Sequence, residues 1–259
     1  MRKFLASIVL LSLLAVPALA ASERRNAPPG SFDGAPPEFT RFSAAELSRG
    51  FIALAFGADL RIGARPKGIR RFTRPVQVFV VAGGSVARAG ELQRIVEEYA
   101  AKIPSLRLRL NADRETADVE LQLIDKKDFG SSLEAAFGRK TARAFVAKTN
   151  PQCMTSVKSQ ADGEILRAVS FVIVDQGNDV FLDCAYHELL HAFGLSNHDQ
   201  SNPWTMLNQN RLVGYLSVYD RALLTMLYHP RIRPGMTPAQ VRSVLPEVIR
   251  SLGLAERGE

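Results

Sequence analysis

The sequence predicts an α+β domain, and three observations carry that prediction. Hydrophobic periods of about 3.6 and 2 follow one another in the order helix, strands, helix, strands, helix, loop, helix, without the strict alternation of an all-parallel sheet. Hydrophobic residues make up 46% of the 259, enough for a sizeable core and too many for a disordered chain. A largely apolar run, Val169–Val174, leads directly into an apolar helical stretch around 187–193, so a buried strand precedes a buried helix.

The first element stands apart from the domain. Arg2 and Lys3 precede an apolar run from Phe4 to Val16, and Ala18, Leu19 and Ala20 supply a small-residue cleavage site. Residues 1–20 therefore read as a secretory signal peptide, the run being short of the roughly 20 residues a membrane span needs. The expectation is an exported protein, periplasmic or secreted, with no transmembrane segment after signal cleavage. Residues 21–42 form a Pro-rich linker or arm, with four of the 14 prolines between 22 and 40. Residues 43–259 are expected to fold as a single domain.

Each element then follows in order. Ser43 to Glu46 has the S-x-x-E pattern of a capping box, so a helix begins there. Residues 61–74 hold six basic side chains and no acidic one, and read as a solvated loop or as attraction to an anionic envelope surface. Nucleic acid is not expected, because only Phe72 interleaves those cations. "VQVFVVAGG" is a strand ending in a glycine turn, and 85–103 is an amphipathic helix with Leu92, Ile95, Val96 and Tyr99 on its apolar face. "LRLRL" at 106–110 and "VELQL" at 119–123 alternate, and read as half-exposed strands. Residues 128–148 are helical or irregular. A hairpin turns at Asp162–Gly163, and helices are expected over about 217–228 and after "TPAQ" at 237–240.

The two cysteines, Cys153 and Cys184, would share an oxidising compartment, where a disulfide is expected and would stabilise the fold by about 3 kcal/mol. The rival reading makes Cys184, three residues before His187, a metal ligand.

The stretch "HELLHAFGLSNHD" at 187–199 carries the chemistry. His187 and His191 are four apart, so a helix stacks both imidazoles on one face, able to share one Zn2+. Glu188 sits beside them and is not needed as a ligand. It is therefore the candidate general base and acid. Gly194 can end the helix in the left-handed conformation and turn the chain back. Among the residues that follow, His198 is the chosen third ligand, because imidazole suits zinc, and Asp199 is second.

His187, Glu188, His191 and Gly194 resemble the HExxHxxGxxH motif of the metzincin zinc metallopeptidases, position for position. The eleventh position is Asn197, with His198 one residue later. The resemblance implies a zincin/metzincin-like fold with a mixed β-sheet, a backing helix, an active-site helix and C-terminal helices. It also implies Zn2+ on His187, His191 and His198, with a protein or peptide substrate laid along a strand edge near the motif helix. In metzincins a methionine turn lies beneath the metal. Met206 is the candidate here, set against an ordinary core methionine, and Tyr215 is a weak candidate for the tyrosine that follows the turn in some of them. The chain from Cys184 through "YDRALLTMLYHPRIRPGMTPAQV" is also similar to an exported bacterial family of unknown function, the domain of unknown function 2927 type. The functional expectation is an exported zinc-dependent hydrolase, a metallopeptidase. Its alternative is a non-catalytic metzincin-like binding protein of the cell envelope. His229 reads as a helix C-terminal cap and Glu247 as part of a solvated helix face.

Overall fold

The computed structural model describes residues 42–57, 67–83, 85–149, 151–210 and 212–254. The expected signal peptide, the arm up to residue 41, and Arg61 and Arg65 of the basic stretch lie outside the described residues. Among the described residues the chain is α+β, with a mixed five-stranded sheet and seven α-helices. No described helix is long and apolar enough to cross a membrane.

Helix α1 (Ala44–Phe56) starts at the expected capping box: Ser43 Oγ accepts from the Glu46 N–H at 3.2 Å, and Glu46 Oε2 accepts from the Ser43 N–H at 2.8 Å. Strand β1 (Val76–Val81), helix α2 (Val86–Lys102) and strand β2 (Leu108–Leu110) form one crossover unit, since a parallel pair needs a long connection. Strand β3 (Val119–Ile124) pairs parallel with the other side of β1. Two helices follow, α3 (Phe129–Phe137) and α4 (Arg139–Thr149), divided at Gly138, whose φ of 80° suits glycine. Strands β4 (Cys153–Ser159) and β5 (Ile165–Ile173) are the expected antiparallel hairpin, and β5 lies parallel to β3. The sheet order is β2-β1-β3-β5-β4, which leaves β4 at an edge. Helices α5 (Asn178–Ala192), α6 (Val218–Leu227) and α7 (Pro238–Leu252) complete the chain.

The apolar run of β5 is explained by cover on both faces. Phe171 and Ile173 point one way and pack with Phe129 and Leu133 of α3 and Ala142 of α4. The alternate residues point toward α5, which packs against both β5 and β4. Helix α2 meets α5 through Tyr99, whose hydroxyl donates to the Tyr186 carbonyl at 2.8 Å and whose ring packs on Phe193. The helix carrying the histidines is thus wedged between a sheet and a backing helix.

Two strand expectations need correction. "LRLRL" is not one strand, because Pro104–Leu106 forms a 3-10 turn that ends at Arg107 with φ 51° and leaves only Leu108–Leu110 extended. "VELQL" is not half-exposed but the central strand, and Glu120 is 2% exposed. The carboxylate is tolerated there because Arg114 and Arg167 pair with its two oxygens at 2.5 and 2.9 Å while Gln122 donates to one of them.

Candidate metal centre

Helix α5 brings His187, Glu188 and His191 into the core. Phe181, Ala185, Leu189, Leu190 and Ala192 are buried around it, so the polar motif residues are set in an apolar helix rather than on a solvated face. The helix ends in a Schellman turn, in which the Gly194 N–H donates to the His191 carbonyl at 3.0 Å and the Leu195 N–H to the Leu190 carbonyl at 3.1 Å. Gly194 has φ 113°, and a Cβ there would lie 2.2 Å from the Arg70 carbonyl oxygen. Only glycine fits.

The next two residues are engaged elsewhere. The Ser196 and Asn197 N–H groups both donate to the Leu54 carbonyl, at 2.8 and 3.1 Å, and Asn197 Nδ2 donates to the Ala53 carbonyl at 3.0 Å. Both are carbonyls of the last turn of α1, where a helix runs short of internal donors, and the Ala53 carbonyl also accepts from the Gly57 N–H at 3.2 Å. Asn197 packs so closely over Gly57 that a Cβ there would meet its Nδ2 at 1.8 Å. The eleventh motif position is therefore a cap for another helix, and the chain delivers His198 to the site instead. Asp199 is also accounted for: its Oδ1 accepts from the Ser201 N–H and hydroxyl at 3.1 and 2.6 Å.

His187, His191 and His198 come together as a group that can hold a metal ion. Their Nε2 atoms are separated by 2.8 Å (187–198), 3.1 Å (187–191) and 3.2 Å (191–198). Three nitrogens bound to one tetrahedral zinc at 2.0–2.1 Å would lie about 3.3 Å apart, so the donor set fits such an ion. The outer contacts fit as well. His191 Nδ1 lies 2.6 Å from the Leu195 carbonyl oxygen, which can only accept, so Nδ1 carries the proton. His187 hydrogen-bonds the backbone of Met206 in a way that favours the protonated ring, so the ring donates. Burial holds His187 well below the ordinary histidine range and pulls His198 down to about 4, so these two rings are neutral at pH 7. The three Nε2 atoms face one another at these short distances, an arrangement that a shared cation stabilises.

Glu188 lies outside that group, and its Oε2 is buried without a hydrogen-bond partner. Burial raises its pKa to about 8, a hydrogen bond from Thr155 works against the rise, and the Asp183 charge adds to it. The same Thr155 Oγ1, on β4, lies 3.1 Å from the Glu188 carbonyl oxygen and 2.6 Å from Ser170 Oγ, tying the edge strand to the motif helix. On the other side, buried Asp220 at the start of α6 accepts from Thr205 Oγ1 at 2.5 Å and from the Met206 N–H at 2.8 Å. Met206 is thus buried in a loop whose backbone meets His187 directly.

A family model described as a protein of unknown function, DUF2927, matches residues 44–247. The chain belongs to the DUF2927 family. The resemblance in sequence was expected to cover roughly the C-terminal two-thirds of the mature chain, and the match reaches further N-terminal, to α1. No curated protein and no solved structure matches it.

In this DUF2927 chain Cys153 and Cys184 form a disulfide, so Cys184 is not a metal ligand. Glu247 is exposed and pairs with Arg231 at 2.5 Å. His229 follows α6, where its ring accepts from the Arg231 N–H at 3.2 Å. The described part of the basic stretch differs from a solvated loop. One Arg71 nitrogen donates to the carbonyls of Leu227, His229 and Ile232 at 2.7, 3.0 and 2.7 Å, and Arg74 pairs with Asp118 at 2.5 Å. Those cations hold the α6 terminus and the β1 entrance. The sequence reading missed Asp183, Asp220 and Gln209, none of which falls in a recognisable motif. Gln209 Nε2 lies 3.2 Å from His198 Nε2.

Proposed function

We propose that this DUF2927 protein is an exported zinc-dependent hydrolase, a peptidase, with His187, His191 and His198 as ligands to Zn2+ and Glu188 as general base and acid. The observation that carries the reading is the convergence of three Nε2 atoms, two of them on rings that donate outward to the protein backbone. When bound, the ion polarises a substrate carbonyl and makes water a nucleophile near neutral pH. Glu188 accepts the proton of the attacking water at its buried carboxyl and returns it to the leaving amine. Burial alone keeps that carboxyl protonated, and a cation held nearby favours the carboxylate that a base must be.

A peptide substrate is the reading the sheet favours. In the sequence the strand directly before the motif helix was the expected edge, but that strand, β5, is interior, and among the described residues β4 is the edge strand beside it. A strand with one unpaired side offers its backbone to an extended peptide, and Thr155 links β4 to the Glu188 backbone. The test begins with metal analysis of the purified protein after reconstitution with zinc, followed by a cleavage screen on mixed peptides. Glu188→Ala is expected to keep near-stoichiometric zinc and lose hydrolysis, and His191→Ala to lose both. A zinc-loaded wild type that cleaves nothing would leave the non-catalytic binding role, and a wild type that takes up no zinc would end the reading altogether.

A further inference from the structure

The loop after His198 presents one polar side chain to the cluster that no motif explains. The described residues of this loop, 199–210 and 212–213, are fixed at several points. The Asp199 N–H donates to the Leu207 carbonyl at 3.1 Å, and Asp220 holds Thr205 and Met206. Asn208 is buried, with its Nδ2 donating to the Asn202 carbonyl at 2.8 Å and its Oδ1 accepting from the Asn210 N–H at 3.1 Å. Beyond, the Val213 N–H donates to Asp183 Oδ1 at 2.5 Å. Gln209 sits between these anchors, and it is exposed. A long exposed glutamine ordinarily gains from staying free in solvent, because fixing it costs side-chain entropy. Here it turns back, and its Nε2 approaches His198 Nε2 to 3.2 Å.

The chemistry of the two atoms defines the role. A glutamine amide nitrogen offers two protons and no lone pair, so it is the donor and the ring nitrogen the acceptor. A cation shared by the three histidines uses that same ring lone pair. The amide protons then have to find another acceptor at the same place, and the nearest incoming one is an oxygen of whatever the cation also holds. In acyl transfer, negative charge grows on the carbonyl oxygen, and a donor already fixed in place stabilises it without reorganisation.

We infer that Gln209 is a catalytic hydrogen-bond donor of this site, giving an Nε2 proton to the carbonyl oxygen of the scissile amide. The inference rests on the zinc-hydrolase reading above. Its anchors are Asn208 and Asp183, which fix the turn from either side. Nothing in the extended motif marks it, because the donor follows Met206 by three residues and is neither a histidine nor a tyrosine.

The test compares wild type with Gln209→Met, which keeps the side chain's length, removes its donors and alters an exposed position where folding is not at stake. Zinc content and zinc affinity are measured first and are expected to be the same in both. Titration calorimetry of the zinc-loaded proteins with acetohydroxamate, which brings a carbonyl oxygen to the metal, is expected to show affinity about tenfold or more weaker in the variant. On any cleaved peptide kcat is expected to fall about 100-fold with little change in KM. Equal acetohydroxamate affinity at equal zinc content overturns the role of Gln209 and leaves the metal site standing. A wild type without zinc overturns the hydrolase reading itself, before Gln209 is measured.

Discussion

Asn197 and His198 are neighbours with opposite duties, and what each one touches separates them. The Asn197 side chain and N–H both serve the end of α1, while His198 reaches the cluster with Nε2 at 2.8 Å from that of His187. Asn197→Ala is therefore expected to leave zinc stoichiometry unchanged and to lower stability by about 1 kcal/mol, the worth of one hydrogen bond. Chemical denaturation and zinc titration read the two effects separately. His198→Ala is expected to abolish tight zinc binding, and adding Asn197→His to it should not restore binding, since position 197 faces α1. Recovery of zinc in that double variant would show that the motif's eleventh position can serve after all. Sequence alone left His198 and Asp199 both open, because ligand chemistry ranks them but cannot show that Asp199 turns its carboxylate onto Ser201.

At the scale of elements, the centre depends on how α5 is held. The disulfide joins Cys153, the first residue of edge strand β4, to Cys184 on α5, three residues before His187. An edge strand has a neighbour on one side only, so a covalent tie to the helix beneath it limits fraying. Cys153→Ala combined with Cys184→Ala is expected to lower stability by about 3 kcal/mol in urea denaturation, through the larger entropy of the unfolded chain. Zinc binding should survive, because neither sulfur belongs to the histidine group. Loss of zinc from a variant that remains folded would contradict that division. The hairpin and the site helix were legible in sequence, since an apolar strand and a Gly-terminated helix have local signatures. The central place of β3 was not: alternation at 119–123 reads as a wet face until Arg114 and Arg167 are seen to neutralise Glu120.

For the whole molecule, the half-buried carboxyl of Asp183 sets a pH dependence. Burial raises it to about 7, against a hydrogen bond from the Val213 N–H that lowers it. The unfolded chain titrates this group near 4, so between about pH 4 and 7 the folded state holds a proton that the unfolded state has released. The contribution is present in full below about pH 4 and is lost as pH rises through 7, on the order of 4 kcal/mol at most. Asp183→Asn keeps an oxygen to accept from Val213 and cannot titrate. In metal-free protein, the wild type is expected to lose stability over that window relative to the variant, as thermal unfolding at a series of pH values would record. Parallel curves for the two proteins would show that Asp183 titrates normally. Zinc should raise the stability of both, by about 4 kcal/mol when free zinc is 1,000 times the dissociation constant, and chelation should remove that increment.

By itself the sequence determined the α+β order, the caps of α1 and α7, the disulfide partners, the glycine that ends α5 and the two motif histidines. Each rests on residue type and short spacing, which act within a few positions of the chain. Tertiary structure alone decided which strand is the edge, which of three consecutive polar residues joins the histidines, and which loop donor faces them. Those outcomes depend on contacts between segments far apart in sequence: α1 draws Asn197 away from the cluster, Asp220 fixes Met206 against His187, and Asp183 with Asn208 holds the turn that presents Gln209.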